Sequence, residues 1–343
     1  MMNGKYTMWG VIVVLLVGLF VGWKYMGNPP SAPSDPTAST GVSENMPYAG
    51  KKVMYIDSYH AGYDWSDGVT RGVEKTFEGT GVDLKIVRMD TKNNPGEEFK
   101  KAAGLKAKTE IEAFMPDVLI VSDDNAFKYV VVAYYKDATL PVVFSGLNWD
   151  AGLYGAPFTN TTGMVEVSLT PQIIDHLKEY AKGTRIGFLS ANNETEQKNL
   201  TYYEKLFSIK FSKSYLVKNM AEWKTAFTKL QTESDVFIFE NNAGISDWND
   251  DEAEAYALEN SKVPVGTTNP WTMKESLLGI TKVPDEQGEW AAGAALQILS
   301  GVSPGTIPLV KNKQGALYVN FKIADVLGIK FSPSLLKNAE VIK

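Results

Sequence analysis

The sequence predicts two doubly wound, Rossmann-like α/β lobes with parallel sheets, joined by several strands and facing one another across a cleft. Short runs rich in Val, Ile and Phe alternate with longer amphipathic segments, a pattern typical of βαβ units. This alternation occurs in two consecutive sets, and the chain beyond them is too short for a third lobe. The length of 343 residues also fits about two domains.

The N-terminal region, 1–27, is predicted to be a membrane anchor or a signal segment. Its core at 8–23 carries no charge and lies between Lys5 and Lys24. As a helix this core rises roughly 24 Å, slightly less than a ~30 Å hydrocarbon layer, and the flanking polar side chains can bridge the difference. Cleavage is the alternative, although the small-residue pattern expected at a cleavage site is poor around Ala32. In both cases the rest of the chain is exported.

A Pro/Ser/Thr-rich linker is predicted at 28–47, where the composition favours an extended, solvated tether. The folded part then begins at residue 48. The first lobe is expected to comprise 48–167 plus about 276–305. The second is expected to comprise 168–275 plus about 306–343.

The elements follow in order along the chain. In the first lobe, strands are predicted at 53–57, 84–89, 117–122, 141–146 and 162–167, and helices at 66–78, 96–114 and 125–135. In the second, strands are predicted at 185–190, 214–218, 235–241 and 263–268, and helices at 171–181, 194–210, 221–233 and 249–260. The remaining segments are expected to cross back and complete the two sheets; they are 277–283, 287–300 and 317–321.

Composition excludes several functions. The net charge is −6 and Lys and Arg form no cluster, which argues against nucleic acid. The absence of cysteine excludes disulfides, thiolate metal sites, a cysteine nucleophile and a lipidated N-terminal cysteine. With only two histidines, a histidine-based metal site lacks ligands. The chain contains no G-x-G-x-x-G after the first strand, no G-x-S-x-G, no P-loop and no H-E-x-x-H. We therefore expect neither an enzyme nor a cofactor or metal.

The candidate site follows from the parallel-sheet rule, by which ligands bind outside the carboxyl ends of the strands. The loops at these ends combine aromatic rings with amides, hydroxyls and a few carboxylates, a mixture suited to a small organic ligand. The predicted ligand contacts are Tyr59, His60, Tyr63, Trp65, Asp123, Asn148, Trp149, Ser190, Asn192, Glu240, Asn241, Thr268 and Trp271. Glu166, close to the first predicted crossover, is expected to lie at the hinge.

These residues leave alternatives open. His60 could contact the ligand or only order its loop, and the neighbouring aromatic side chains could merely pack against their helix. Asp123 is a candidate ammonium partner, and Glu240 could be a second cation partner or a solvated carboxylate. An amino acid would place its carboxylate on hydroxyls and helix N-termini. A quaternary ammonium ligand would instead use the aromatic faces.

Three passages resemble the ABC-transporter substrate-binding protein family, within the periplasmic-binding-protein-like type I superfamily. They are "VMYIDSYHAGYDWSDGVTRGVEK", "PVVFSGLNWD" and, most specifically, "YVNFKIADVLGIKFSPSLLKNAEVI". The likeness spans about residues 50 to 343. It implies two lobes that are linked by three crossover strands and close on a small molecule like a hinged trap.

The expected function is therefore that of an extracytoplasmic, monomeric solute-binding protein. It would close on a small organic ligand, an amino acid and especially an aromatic one as the first guess, and present it to an ABC permease. The alternative is a membrane-tethered sensor that signals through a partner kinase or receptor. The expected location is the periplasm or cell surface, with anchoring to the inner membrane through the N-terminal segment, or secretion to the periplasm if that segment is cleaved.

Overall fold

The computed structural model describes residues 46–342. The predicted membrane segment at 8–23 and all but the end of the predicted linker lie outside this range. Between residues 46 and 342, no helix combines the length and apolar character that a membrane crossing requires.

Strands and helices alternate along the described chain, as the patterning predicts. The strands are β1 (Lys52–Asp57), β2 (Asp83–Arg88), β3 (Val118–Ser122), β4 (Val142–Asn148), β5 (Thr161–Glu166), β6 (Ile186–Ala191), β7 (Phe211–Val217), β8 (Val236–Phe239), β9 (Val265–Thr267), β10 (Leu278–Lys282), β11 (Val310–Lys311), β12 (Gly315–Asn320) and β13 (Ala339–Ile342). The helices are α1 (Asp64–Phe77), α2 (Glu97–Phe114), α3 (Asp123–Ala126), α4 (Thr170–Lys178), α5 (Glu194–Phe207), α6 (Met220–Glu233), α7 (Asp250–Asn260), α8 (Pro284–Leu299), α9 (Phe321–Leu327) and α10 (Pro333–Leu336).

One predicted helix differs in kind. The segment expected at 125–135 is the short helix α3 continued by a π-helix at Phe127–Tyr135. Short 3₁₀ turns occur at Ala151–Tyr154, Pro270–Thr272 and Pro304–Thr306.

The first sheet contains six parallel strands in the order β11-β5-β4-β3-β1-β2. Its central strands β1, β3 and β4 are buried along nearly their whole length because helices cover both faces. Val53 and Tyr55 of β1 pack with α1 and α8, whereas Met54 and Ile56 pack toward α2 and the π-helix. This sheet and its helices form the first lobe.

The second sheet contains seven strands in the order β13-β12-β10-β9-β8-β6-β7. The strands from β6 to β10 are parallel, and β12 and β13 run in the opposite direction. This sheet, with α4 to α7 and the C-terminal helices, forms the second lobe. The observed architecture is the predicted pair of parallel-dominated α/β lobes.

The chain passes between the lobes three times, after β5, after β10 and after β11. Two strands lie in the opposite lobe from the one expected. Leu278–Lys282 belongs to the second sheet because it pairs with both β9 and β12. Val310–Lys311 joins the first sheet beside β5. Local patterning identifies such strands but does not indicate their partners.

Helix α8 returns to the first lobe and packs directly on α1. Glycines allow this close approach. A Cβ on Gly72 would lie 2.2 Å from the carbonyl oxygen of Asp285, and a Cβ on Gly288 would lie 2.0 Å from that of Val69. The ion pair between Arg71 and Asp285, at 2.8 Å, borders the contact.

Candidate functional site

Two adjoining cavities lie between the carboxyl ends of the two sheets. The larger has a volume of about 510 Å³ and the smaller about 260 Å³. Residues of both lobes line both cavities, so the two form one cleft. The shared lining residues are Asn148, Glu166, Thr268, Asn269, Trp271 and Lys282.

The loop after β1 supplies an aromatic wall. Buried Asp57 orders this loop, since its carboxylate accepts hydrogen bonds from the Tyr59 amide at 3.0 Å and the Ser66 hydroxyl at 2.8 Å. The rings of Tyr59 and Tyr63 meet edge to face, with centroids 5.4 Å apart. The Lys92 ammonium lies 5.2 Å from the first ring centroid and 4.8 Å from the second.

Asp123 follows β3 directly and lies at the base of the cleft, in contact with Trp65. Its backbone is left-handed, with φ +66°, and only 2% of the residue is exposed. The Trp65 indole N–H donates to Asp123 Oδ1 at 3.0 Å, whereas Oδ2 has no hydrogen-bond partner among the described residues. Burial, followed by the nearby Glu166 carboxylate, raises the pKa of Asp123 well above its usual value.

Asp124, the next residue, has a different role. Its carboxylate accepts hydrogen bonds from the Asn148 side-chain amide at 2.6 Å and from the Tyr154 hydroxyl at 2.7 Å. These bonds hold Asn148 at the cleft. With one amide N–H used in this way, Asn148 can still offer the cleft its second N–H and its carbonyl oxygen.

An ion pair between Glu166 and Lys282 connects the two lobes beside two of the crossovers. The first residue ends β5 and the second ends β10, so the pair joins the two sheets. The Lys282 ammonium also lies 5.6 Å from the centroid of Trp65. Burial lowers the pKa of Lys282, but the carboxylates around it, Glu166 first, outweigh that effect and raise it overall.

The second lobe contributes a polar wall. Glu240, which follows β8, is 5% exposed, and its Oε1 accepts a hydrogen bond from the Thr268 hydroxyl at 2.7 Å. Glu240 Oε2 has no hydrogen-bond partner within residues 46–342. Burial, with the Glu196 carboxylate next in importance, raises the pKa of Glu240 to about 7.

A chain of hydrogen bonds orders the rest of this wall. The Asn241 side-chain amide donates to Glu196 Oε1 at 3.0 Å, and Asn241 Oδ1 accepts from the Trp271 indole N–H at 3.0 Å. The Asn269 side-chain amide donates to the backbone carbonyl of Glu240. Trp271 is 53% exposed and forms the outer rim.

Trp149 makes an interlobe contact. It follows β4 of the first lobe in a left-handed conformation, with φ +67°, and stacks on Tyr202 of α5 with centroids 5.3 Å apart. Phe207 and Tyr203 meet it edge to face. Beside it, Asp150 and Lys205 form an ion pair of 3.3 Å. One edge of Trp149 lines the smaller cavity.

The structure brings most of the predicted site residues into this cleft. They are Tyr59, Tyr63, Trp65, Asp123, Asn148, Trp149, Glu166, Glu240, Asn241, Thr268 and Trp271. Three predicted contacts do not line either cavity. His60 lies beside Tyr63, with Nδ1 2.9 Å from the Ala61 carbonyl oxygen. Ser190 is buried, and its hydroxyl is 3.4 Å from the backbone oxygen of Asn241. The Asn192 carbonyl accepts from the Gln197 amide at 3.0 Å.

Several lining residues are absent from the predicted set, among them Lys282, Glu196, Asn199 and Tyr203. The signal for Lys282 was present, since it lies next to the end of the predicted segment 277–283. Helix α5 carries the other three, and no strand-end rule identifies them. No cluster of three or more His, Asp or Glu side chains in the described part of the chain has a metal-binding arrangement.

Comparisons with known proteins agree with this geometry. The sequence model of the family described as "ABC transporter substrate binding protein" matches residues 62–343. A ligand-free, open substrate-binding protein with adhesive properties from Clostridium difficile superposes with TM-score 0.63 and 17% identity, covering 85% of this chain and 99% of the other. No curated protein sequence matches the chain.

Two further structures show similar folds. A periplasmic ribose ABC transporter protein from Conexibacter woesei gives TM-score 0.52 at 16% identity, covering 82% of this chain and 96% of the other. A conserved domain protein from Vibrio cholerae gives TM-score 0.51 at 18% identity, covering 85% and 99%. Likeness at such identity establishes the fold, which is that of type I periplasmic binding proteins. The family comprises binding proteins rather than enzymes, and since its model matches most of the sequence, this chain belongs to the ABC transporter substrate-binding protein family.

Proposed function

We propose that this protein closes its two lobes on a small organic solute outside the cytoplasm and presents it to an ABC transporter. Substrate-binding proteins of this family are extracytoplasmic, which supports the location. The observation that carries the proposal is the cleft itself. Tyr59, Tyr63 and Trp65 of one lobe face Thr268 and Trp271 of the other across a common cavity.

The mechanism is ligand-stabilised closure. A solute that contacts both lobes binds the closed form more tightly than the open one, and this difference shifts the equilibrium toward closure. The crossover segments after β5, β10 and β11 provide the hinge. Glu166 and Lys282 lie at two of these crossovers, where their ion pair can keep the strand ends together while the lobes move.

An amino acid, aromatic ones included, is our first candidate for the solute. Asp123 can accept hydrogen bonds from its ammonium group, and the rings of Tyr63 and Trp65 can cover its side chain. Thr268 and Asn269 line the opposite wall, where they can orient polar groups.

The residues that we propose as ligand contacts are those that the sequence predicts, and the cavities support some of them more strongly than others. The eleven that line the cleft include the hinge residue Glu166. His60, Ser190 and Asn192 are the weakest proposals, because neither cavity includes them. Anchoring by the N-terminal segment and a monomeric state also remain proposals. The sensory alternative has no observation of the fold or family in its favour.

Two measurements on the full chain test this function. Mass spectrometry of the purified protein should reveal a bound small solute, and adding that solute to stripped protein should give saturable 1:1 binding. Small-angle X-ray scattering should then show a smaller radius of gyration, as closure requires. Conversion of the solute into a product, or binding without any change in shape, would contradict the proposal.

A further inference from the structure

We propose that the cleft selects a dication, a small organic ligand with two protonated nitrogen groups. Asp123 of the first lobe would hold one group and Glu240 of the second lobe the other. Diamines and amino acids with a basic side chain belong to this class. The inference rests on the proposed function, since it names the ligand class of the same cleft.

Two unpartnered carboxylate oxygens support the inference. Trp65 uses Oδ1 of Asp123 and Thr268 uses Oε1 of Glu240, which leaves Oδ2 and Oε2 buried without hydrogen bonds from the described residues. The hydroxyl of Tyr203 donates to Ser168 at 3.2 Å. An unsatisfied buried acceptor is unfavourable, and a donor from the ligand relieves it. Asp123 lines the larger cavity from the first lobe, and Glu240 lines the adjoining smaller cavity from the second.

Several side-chain donors at the cleft already have an acceptor within the fold. The side-chain amides of Asn148, Asn241 and Asn269 donate to Asp124, to Glu196 and to a backbone carbonyl. The indoles of Trp65 and Trp271 donate to carboxylate and amide oxygens. The buried acceptors that lack a donor are the two carboxylate oxygens, and a ligand rich in N–H donors fits them.

The charge of the walls points the same way. Five carboxylates line the two cavities against a single cation, Lys282, which is already paired with Glu166. The carboxylates are Asp64, Asp123, Glu166, Glu196 and Glu240. A ligand with net negative charge would face this excess at low dielectric, whereas a dication would offset it. A bound cation would also favour the ionised forms of Asp123 and Glu240, whose pKa values are raised by burial.

The aromatic wall already accepts protein cations. The ammonium of Lys92 lies over Tyr59 and Tyr63, and that of Lys282 lies 5.6 Å from the Trp65 centroid. An ammonium over an aromatic face is stabilised by the ring quadrupole. The rings that border Asp123 therefore suit the charged end of a ligand as well as an apolar one.

The test is a calorimetric titration of the full chain with a matched series. Lysine has two ammonium groups and a carboxylate, 1,5-diaminopentane has the two ammonium groups alone, and norleucine has one ammonium group and the carboxylate. Lysine and diamines of three to six carbons should bind 1:1, and the best of them at least tenfold more tightly than norleucine.

Substitutions that remove one carboxylate charge test which residue binds each end of the ligand. Asp123→Asn and Glu240→Gln should each weaken binding of the best dication at least tenfold, and Glu240→Gln should leave norleucine unaffected. Glu275→Gln is the matched control, because Glu275 is 1% exposed with an unpartnered Oε2 but lies outside both cavities. It should leave the affinity unchanged.

Two results would overturn the inference. One is norleucine, phenylalanine or a sugar binding as tightly as the best dication, which would leave the proposed function intact. The other is unchanged dication affinity in Glu240→Gln. If a variant does not fold, the affinities of the ligand series for the unmodified chain still test the inference. If no solute of any class binds and closes the lobes, the proposed function itself fails.

Discussion

The two lobes bring different chemistry to the same cleft. The first lobe offers the rings of Tyr59, Tyr63 and Trp65 around one deeply buried carboxylate, Asp123. The second offers a hydrogen-bonded network centred on Glu240, with fewer aromatic faces. Aromatic faces give contact area in many ligand orientations, whereas a fixed polar network favours one orientation. We infer that the first lobe captures the solute and that the second orients it upon closure.

The largest expected effect on ligand affinity is the loss in Trp65→Ala, which we compare with the loss in Trp271→Ala. Trp65 donates to buried Asp123, so its loss removes a face of the cleft and leaves a second unpaired oxygen. We expect Trp65→Ala to weaken ligand affinity roughly 30-fold, equivalent to about 2 kcal/mol. Trp271 is 53% exposed at the rim, and its loss should weaken affinity only about threefold. Titration calorimetry with the co-purified solute measures both.

Trp290→Phe is the matched control, because Trp290 lies in α8 and lines neither cavity. It should bind as tightly as the unmodified chain. A larger effect at Trp271 than at Trp65 would reverse the roles assigned to the two lobes.

A second prediction concerns the polar wall and pH. The pKa of Glu240 is about 7 in the fold, above roughly 4.3 in an unfolded chain. Between these values the folded state binds more protons, so the contribution of Glu240 to stability falls as pH rises, and the penalty is complete above pH 7. Glu240→Gln removes the penalty. We therefore expect the ligand-free variant to be more stable than the unmodified chain by about 3.5 kcal/mol at pH 8 and by less than about 1 kcal/mol at pH 4.5.

Glu254→Gln gives a control of opposite sign. The hydrogen bond from Lys322 lowers the pKa of Glu254, so its charged form stabilises the fold. That variant should lose stability at pH 8 and approach the unmodified chain at acid pH. Urea unfolding at both pH values measures all three proteins. A Glu240→Gln variant that is less stable at pH 8 would show that this carboxylate is satisfied in the ligand-free fold.

The smallest expected effect lies outside the cleft walls, at the ion pair between Asp150 and Lys205. Both side chains are more than a third exposed, so solvent screens the pair. Lys205→Ala should change stability by less than about 1 kcal/mol and leave ligand affinity within twofold. Trp149→Ala, which removes the buried stack on Tyr202, should destabilise the fold more strongly. Thermal unfolding of the two variants ranks them, and equal effects would mean that the stack does not stabilise the interlobe contact.

The sequence is informative about this fold because its signals are local. Apolar runs such as Val53–Ile56 identify buried strands, and amphipathic spacing identifies the helices between them. The strand-end rule then places Asp123 and Thr268 at the cleft without knowledge of any contact. These inferences require only the order of elements along the chain.

Other features depend on contacts between distant segments. Lys282 acquires its role only because β10 joins the second sheet and its side chain returns to Glu166. Glu196 lies in α5 and is held at the cleft by a hydrogen bond from Asn241, which follows β8. The orientation of Trp149 toward Tyr202 likewise depends on how α5 packs. No local pattern in the sequence specifies such pairings.

The packing of α1 against α8 has a consequence for biosynthesis. Arg71 and Asp285, which meet at this contact, are 214 positions apart. A ribosome has therefore made most of the polypeptide before α1 meets the helix that covers it. The first lobe therefore stays incomplete while most of the second lobe is made, and until α8 arrives its exposed apolar surface favours aggregation.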